Sequence, residues 1–118
     1  MGALIHYTYA ASSAAYRTRI ALNFKGLAAE ERYVHLLKDG GQQHGAAYAG
    51  VNPQEIVPAL VDDGQAIGQS LAIVEYLDEV YPEPPLLPRA PLARARVRQV
   101  ALAIACDIHP LNNLRVRQ

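Results

Sequence analysis

The sequence of 118 residues has one cysteine, one phenylalanine, no tryptophan and no net charge. A disulfide needs two cysteines, so Cys106 alone excludes an internal disulfide framework and favours a reducing, cytoplasmic compartment. No apolar run approaches the roughly 18 residues of a membrane span, and the even charge balance argues against nucleic acid as a partner. With 51% hydrophobic residues, the chain should instead form a packed core.

The first half of the chain shows the pattern of a β-α-β unit. Residues 3–8 and 31–37 are short β-prone runs, and residues 14–27 between them have apolar side chains at helical spacing. Gly26 lies where such a helix ends. Residues 38–50 are glycine-rich and predict a loop with one short helix.

The second half begins with a predicted hairpin, formed by VPALV at 57–61, a turn at Asp62-Asp63-Gly64, and QAIGQ at 65–69. Residues 70–81 follow as an amphipathic helix. A parallel crossover followed by an antiparallel hairpin is the thioredoxin-like α/β arrangement.

Five prolines between residues 82 and 91 predict an extended linker, and residues 92–109 predict one long helix. The apolar face of that helix comprises Val97, Val100, Ala101, Ile104, Ala105 and Ile108. Because this face needs partners, we expect a longer protein with a domain at 1–81, a linker at 82–91 and the start of a helical domain at 92–118. The alternative is that the helix packs on the first domain or on a second copy.

The stretch from Val57 to Ser70 predicts a receptor for a small anionic peptide. Pro58 has no N–H, and a cis Val57-Pro58 bond would turn the backbone groups of Val57 outward to pair with an extended peptide. Ser70 would offer a hydroxyl, its own N–H and the positive end of a helix to a carboxylate. Taken alone, Ser70 is also explained as a simple helix cap.

Three blocks resemble the N-terminal part of zeta-class glutathione transferases, the class of maleylacetoacetate and maleylpyruvate isomerases. The blocks are SSAAYRTRIALNFKG (12–26), NPQEIVPALVDDGQAIGQSLAIVEYLDEVYPEPPLLP (52–88) and DIHPLNNLRV (107–116). The resemblance implies a thioredoxin-like domain followed by the first helix of an all-α domain. It also implies glutathione as the cofactor and no metal.

The resemblance assigns glutathione contacts along the first domain. Val57 and Pro58, the family's cis-proline, would meet the cysteinyl unit, while Gln69 and Ser70 would hold the γ-glutamyl group. The glycyl end would fall to one of three neighbours in the predicted loop, Gln42, Gln43 or His44. Solvated loop residues remain the alternative for these three.

Ser12 and Ser13 match the family positions credited with activating the thiol. Lowering a thiol pKa from about 8.5 by two units requires roughly 2.7 kcal/mol. A helix N-terminus supplies about 0.3–1 kcal/mol, so a hydrogen bond to the anion, worth about 1.5–3 kcal/mol, is needed as well. The alternative is that both serines only cap the helix.

The chain departs from the family at Ala14, where a cysteine is usual, and at Ala11, where a basic residue is frequent. The block DIHPLNNLRV is retained, and there the resemblance implies that His109 is catalytic, Asn113 binds glutathione and Arg115 binds the substrate acid. Pro110 should bend the helix and aim these side chains at the cleft between the first domain and the helical domain. Three other residues receive no catalytic role: Arg17, Arg19 and Cys106.

The reaction implied by the resemblance is isomerisation of a maleyl keto acid in aromatic catabolism, and the resemblance also implies a homodimer. A thiolate adds to the cis double bond, the resulting single bond rotates, and elimination leaves the trans isomer. General glutathione transfer and a non-catalytic glutathione-binding module are the alternatives. A thiol-disulfide oxidoreductase is disfavoured because no Cys-x-x-Cys motif follows the first strand.

Overall fold

The computed structural model describes residues 3–9, 12–34 and 58–108. The strands in these segments are β1 (Leu4–Thr8), β2 (Glu30–Tyr33), β3 (Ala59–Asp62) and β4 (Gln65–Gly68). The helices are α1 (Ser13–Phe24), α2 (Ser70–Val80) and α3 (Pro91–Leu102), and α3 continues as a π-helix over Ala103–Ile108. The short helix predicted within 38–50 lies outside the described residues.

The four strands form one sheet in the order β2-β1-β3-β4. Strands β1 and β2 are parallel, whereas β3 pairs antiparallel with both β1 and β4. A parallel pair requires a crossover connection, which α1 provides, and an antiparallel pair can be joined by a tight turn. The thioredoxin-like arrangement predicted from the sequence is confirmed.

The turn between β3 and β4 has two residues in the left-handed region, Asp63 at φ 50° and Gly64 at φ 83°. Positive φ at both central positions is the type I′ geometry, whose twist matches that of the flanking strands. Asp62 and Gln65 pair across the end of the hairpin. The hairpin predicted from the Asp-Gly signal is therefore present.

Helix α1 ends as predicted at Gly26, which has φ 67°. The Leu27 N–H donates to the Leu22 carbonyl and the Gly26 N–H to the Asn23 carbonyl, each at 3.0 Å. These two bonds form a Schellman motif, which satisfies carbonyls at the helix end and favours glycine at the left-handed position.

The buried face of α1 differs from the apolar stripe in its sequence. Tyr16, Ile20 and Phe24 are 57%, 52% and 56% exposed. The buried residues of α1 are Ala15, Thr18, Ala21 and Leu22. Thr18 is buried because its hydroxyl meets a buried histidine, and a hydrophobic pattern carries no signal of such a pairing.

The main core lies between the sheet and helices α1 and α2. Its buried members are Leu4, Ala21, Leu22, Leu60, Ile73 and Leu77. Among the apolar residues of α2, Ile73 and Leu77 are completely buried, whereas Leu71, Val74 and Val80 are half-buried. Leu71 and Val74 instead line a cavity toward α3.

A buried ion pair ties the proline-rich segment to the domain. The Lys25 Nζ donates to Asp78 Oδ1 at 3.0 Å and to the carbonyl oxygens of Tyr81 and Pro84 at 2.6 and 2.8 Å. Asp78 Oδ1 also accepts from the Leu86 N–H at 2.7 Å. Since a lysine ammonium has three donors, its capacity is fully used here.

The helix predicted over 92–109 is present, but its regular α-helix stops at Leu102 and continues as π-helix to Ile108. Pro110, which we predicted to bend the helix, lies outside the described residues. None of the helices in the described segments is long and apolar enough to cross a membrane.

Helix α3 contacts the first domain, which the alternative prediction for this helix included. Arg98 Nε donates to both carboxylate oxygens of Glu75 on α2, at 3.2 and 3.1 Å. Even so, Val97, Val100 and Ile104 on the predicted apolar face are 40%, 61% and 39% exposed. This part of the helix therefore presents apolar surface to solvent.

Candidate functional site

The predicted site residues that the structure describes gather at one edge of the sheet. Ala59 at the start of β3 pairs with Tyr7 near the end of β1 and with Gly68 at the end of β4. The segments that leave the sheet at this edge contain Ser12, Ser13, Pro58, Gln69 and Ser70. Both α1 and α2 start here, so two positive helix ends lie at the same edge.

Ser12 is the N-cap of α1, with extended backbone dihedrals of φ −87° and ψ 117°. Its Oγ accepts from the Ala15 N–H at 3.1 Å, and its own N–H donates to the Tyr9 carbonyl at 3.0 Å. Ser12 therefore caps α1. Capping uses the hydroxyl only as an acceptor, so it leaves the hydroxyl proton for donation. Ser13, the first residue of α1, is exposed.

Ser70 opens α2 and is buried, with 8% exposure. Gln69 before it is exposed and has φ 69° and ψ 120°, a conformation that costs free energy in a residue other than glycine. The Gln69 side chain does not cap the helix. The first N–H groups of a helix have no helical acceptor, so they are donors aimed at this edge.

Arg17 is the residue at this site that sequence reasoning missed. It lies one turn inside α1, and its Nη1 donates to Ser70 Oγ at 2.5 Å. The contact places a permanent cation beside the hydroxyl expected to hold a carboxylate. A basic residue on a helix gives no sequence signal for such a partner, because the two residues are 53 positions apart.

An apolar cavity of about 280 Å³ adjoins this edge, between α1, α2 and α3. Its apolar lining includes Ile20, Leu71, Val74, Val97 and Ala101, and Arg17 lies on its wall. The same guanidinium therefore borders both the buried serine and an apolar space.

Several predicted site residues lie outside the described residues, and their roles stay predictions. They are Gln42, Gln43, His44, Val57, His109, Asn113 and Arg115. The Val57-Pro58 bond belongs with them because it involves Val57. Pro58 itself is described and is buried next to β3.

The described donors suit a ligand with two anionic groups. Arginine, a buried hydroxyl and helix N–H groups are all donors for a carboxylate, and the hydroxyl of Ser12 can donate to a second anionic group. Searched for metal ligands, the described segments contain no cluster of three or more histidine, cysteine or acidic side chains.

The family model for the glutathione S-transferase N-terminal domain matches residues 7–85. The chain belongs to the glutathione S-transferase family. The matched range begins within β1 and ends in the proline-rich segment, so it includes the whole edge described above.

Relatives named as maleylacetoacetate isomerases resemble the chain over nearly all of its length. A probable maleylacetoacetate isomerase of Vibrio cholerae is 54% identical over 118 residues, which are 100% of this chain and 55% of that protein. Maleylacetoacetate isomerase of Rattus norvegicus is 50% identical over 98% of this chain and 53% of its own length. The chain spans about half the length of these curated relatives.

Solved structures agree with these relatives. A holo maleylpyruvate isomerase, described as a bacterial zeta-class glutathione S-transferase, has a TM-score of 0.89 and 45% identity, covering 95% of this chain and 52% of that one. A maleylacetoacetate isomerase of Methylobacterium extorquens AM1 with bound malonate and glutathione has a TM-score of 0.88 and 51% identity, with the same coverage. The predicted resemblance to the zeta class is confirmed.

Proposed function

We propose that the protein binds glutathione at this edge of the sheet and uses it to isomerise a maleyl keto acid, maleylacetoacetate or maleylpyruvate. The observation that carries the proposal is the Arg17 to Ser70 contact at the start of α2. It supplies the charge and donors that the γ-glutamyl carboxylate of glutathione requires. Relatives about half identical to the chain are maleylacetoacetate isomerases.

The described residues fit the γ-glutamyl end of glutathione. Ser70 Oγ accepts from Arg17, so its own proton remains to be donated to a carboxylate. Arg17 adds a planar cation that matches carboxylate geometry, and α2 adds its positive end. Gln69, which precedes Ser70 with a positive φ, would accept a hydrogen bond from the amine.

Ser12 performs the second task, which is to stabilise the thiolate. Bound glutathione supplies a thiol for reversible addition to a conjugated double bond. The Ser12 hydroxyl donates a hydrogen bond to the thiolate, and the positive N-terminal end of α1 adds a favourable electrostatic field. Together these contributions are about 2–4 kcal/mol, which covers the roughly 2.7 kcal/mol needed for two pKa units.

The remaining assignments complete the proposal beyond the described residues. Val57 and Gln43 would extend the glutathione contacts, and Asn113 would add a further one. His109 would act in catalysis and Arg115 would bind the acid of the substrate.

We also propose a cytoplasmic homodimer in which residues 1–81 form a domain, residues 82–91 a linker and residues 92–118 the start of a helical domain. Exposed apolar side chains on α3, such as Val100, support a further packing partner.

The first experiment is calorimetric titration of the folded chain with reduced glutathione, beside a Ser70→Ala variant. Losing one hydrogen bond to a charged group costs about 1.5–3 kcal/mol, so Ser70→Ala should bind roughly 10- to 150-fold more weakly. Gln65→Ala, an exposed polar change at the start of β4, is the matched control and should bind normally. A folded chain that binds no glutathione would contradict the proposal.

Two alternatives remain, a general glutathione transferase and a binding module without catalysis. They are separated by assaying maleylpyruvate isomerisation with and without glutathione, next to conjugation of a simple electrophile. Isomerisation that needs glutathione supports the proposal. Binding without turnover of either substrate supports the module, which Ala11 and Ala14 favour as departures from the family pattern.

A further inference from the structure

A buried polar cluster joins β1, α1 and β2 directly behind the first turn of α1. His6 on β1 is completely buried; its Nδ1 lies 2.6 Å from Glu31 Oε2 and its Nε2 lies 2.6 Å from Thr18 Oγ1. Thr18 is also completely buried, and its hydroxyl donates to the Ala15 carbonyl at 2.9 Å. The cluster thus connects β2 to the backbone of α1 through one imidazole.

The chain of contacts ends at Ser12. Ala15, whose carbonyl meets Thr18, offers its N–H to Ser12 Oγ at 3.1 Å. One residue of α1, Ala15, is therefore held by Thr18 at its carbonyl, and its N–H binds the serine that should face the thiol. Ala15 is itself completely buried, so this turn has little room to move.

A carboxylate, an imidazole and a hydroxyl in line have the composition of a nucleophilic triad. Burial excludes that role here, because neither His6 nor the Thr18 hydroxyl is accessible to a substrate. Burial also holds the pKa of His6 below its ordinary value, although the nearby Glu31 carboxylate acts in the opposite direction. A neutral imidazole that donates from Nδ1 to Glu31 can only accept at Nε2, so the single Thr18 hydroxyl proton is shared between Nε2 and the Ala15 carbonyl.

The far side of the cluster is anchored to the same sheet edge. Arg19 Nη2 donates to Thr8 Oγ1 at 2.9 Å, and its Nε lies 3.3 Å from Glu31 Oε1. Thr8 is the last residue of β1, and the Tyr9 carbonyl that follows accepts from the Ser12 N–H. Ser12 is therefore held from both the strand it leaves and the helix it caps.

We propose that His6 is a positioning residue, which fixes the first turn of α1 so that the Ser12 hydroxyl is held toward the thiol of bound glutathione. The inference rests on the proposed function of Ser12. A buried hydrogen-bonded cluster defines one arrangement of its groups, whereas an apolar contact of the same shape leaves more freedom. Precise placement matters because a donor contributes fully only when it already lies where charge develops.

The test compares His6→Leu and Thr18→Val with Ser12→Ala. Thr18→Val keeps the side-chain shape and removes the hydroxyl between His6 and Ala15. The pKa of the bound glutathione thiol is followed by ultraviolet absorbance of the thiolate, and exchange of the Ala15 N–H is measured in the ligand-free chain. Both positioning variants should raise the thiol pKa by about one unit, which from about 6.5 lowers the thiolate fraction at neutral pH roughly threefold, and should speed exchange at Ala15. Glutathione affinity should stay normal because Ser70 is unaffected.

Leu4→Ala controls for general loss of stability, because it opens the core at the opposite end of β1 and should leave the thiol pKa unchanged. If His6→Leu does not fold, Thr18→Val decides the question. A wild-type thiol pKa equal to that of free glutathione would overturn the proposed role of Ser12 itself. A lowered wild-type pKa that Ser12→Ala raises, but that neither positioning variant changes, would overturn the inference about His6 alone.

Discussion

The Lys25–Asp78 pair predicts an unusually costly single substitution. The Lys25 side chain is completely buried, and the Asp78 side chain is 7% exposed. In Lys25→Met, the carbonyls of Tyr81 and Pro84 lose their donor, and Asp78 keeps its charge with only backbone N–H groups beside it. Breaking a buried pair by removing one partner costs about 3–5 kcal/mol, against a total stability of about 5–15 kcal/mol for a domain.

The assay is urea unfolding followed by circular dichroism, with the double variant Lys25→Met/Asp78→Leu included. Replacing both residues leaves no buried unpaired carboxylate. We therefore expect the double variant to lose about 2–3 kcal/mol less than the sum of the two single variants. Arg32→Met is the matched control. Arg32 pairs with Glu30 on the surface, with side chains 48% and 58% exposed, and should cost at most about 1 kcal/mol. Equal losses for Lys25→Met and Arg32→Met would refute the reasoning.

The same pair sets how stability changes in acid. Burial alone would raise the pKa of Asp78, but the Leu86 N–H and the Lys25 ammonium outweigh it and hold that pKa below its ordinary value. A carboxyl with a lowered folded pKa stabilises the fold above its unfolded pKa of about 3.9, and this contribution is lost as pH falls through the folded value. Without Lys25, the pKa of Asp78 rises, so acid should weaken Lys25→Met from a higher pH than wild type.

Two further outcomes test the fold around the site. Gly64→Ala should lower the free energy of unfolding in urea by about 1–2 kcal/mol, because φ at this position is 83° and an added Cβ meets no atom within 4 Å. Gly64→Asn should lose less, because asparagine tolerates a positive φ better than alanine. Equal losses for the two variants would exclude backbone strain as the cause. The hydrogen bond to Asp62 raises the pKa of Tyr76 to about 12. The stability that Tyr76 contributes to the fold is therefore complete below pH about 10 and is lost as pH rises through about 12. Tyr76→Phe should abolish that alkaline loss, whereas the exposed Tyr33→Phe should retain it.

The sequence predicts best where one residue type has a single structural use. The Asp63-Gly64 turn and the helix end at Gly26 were predicted correctly, because both need a positive φ that few residues tolerate. The buried face of α1 was predicted poorly. Hydrophobic periodicity assumes that apolar side chains face the core, and Thr18 is buried instead because His6 on another element binds its hydroxyl.

The two long-range polar contacts that sequence reasoning missed share a geometric cause. Arg17 to Ser70 and Lys25 to Asp78 are both separated by 53 positions, so eight residues along α1 correspond to eight along α2. Such a constant offset means that the two helices run parallel and in register, with polar contacts about 12 Å apart at either end. Parallel packing also brings both helix starts to one edge, which is why Ser12 and Ser70 can serve one ligand. No local pattern encodes this offset, since it depends on the length of chain between the helices and on how the sheet places their starts.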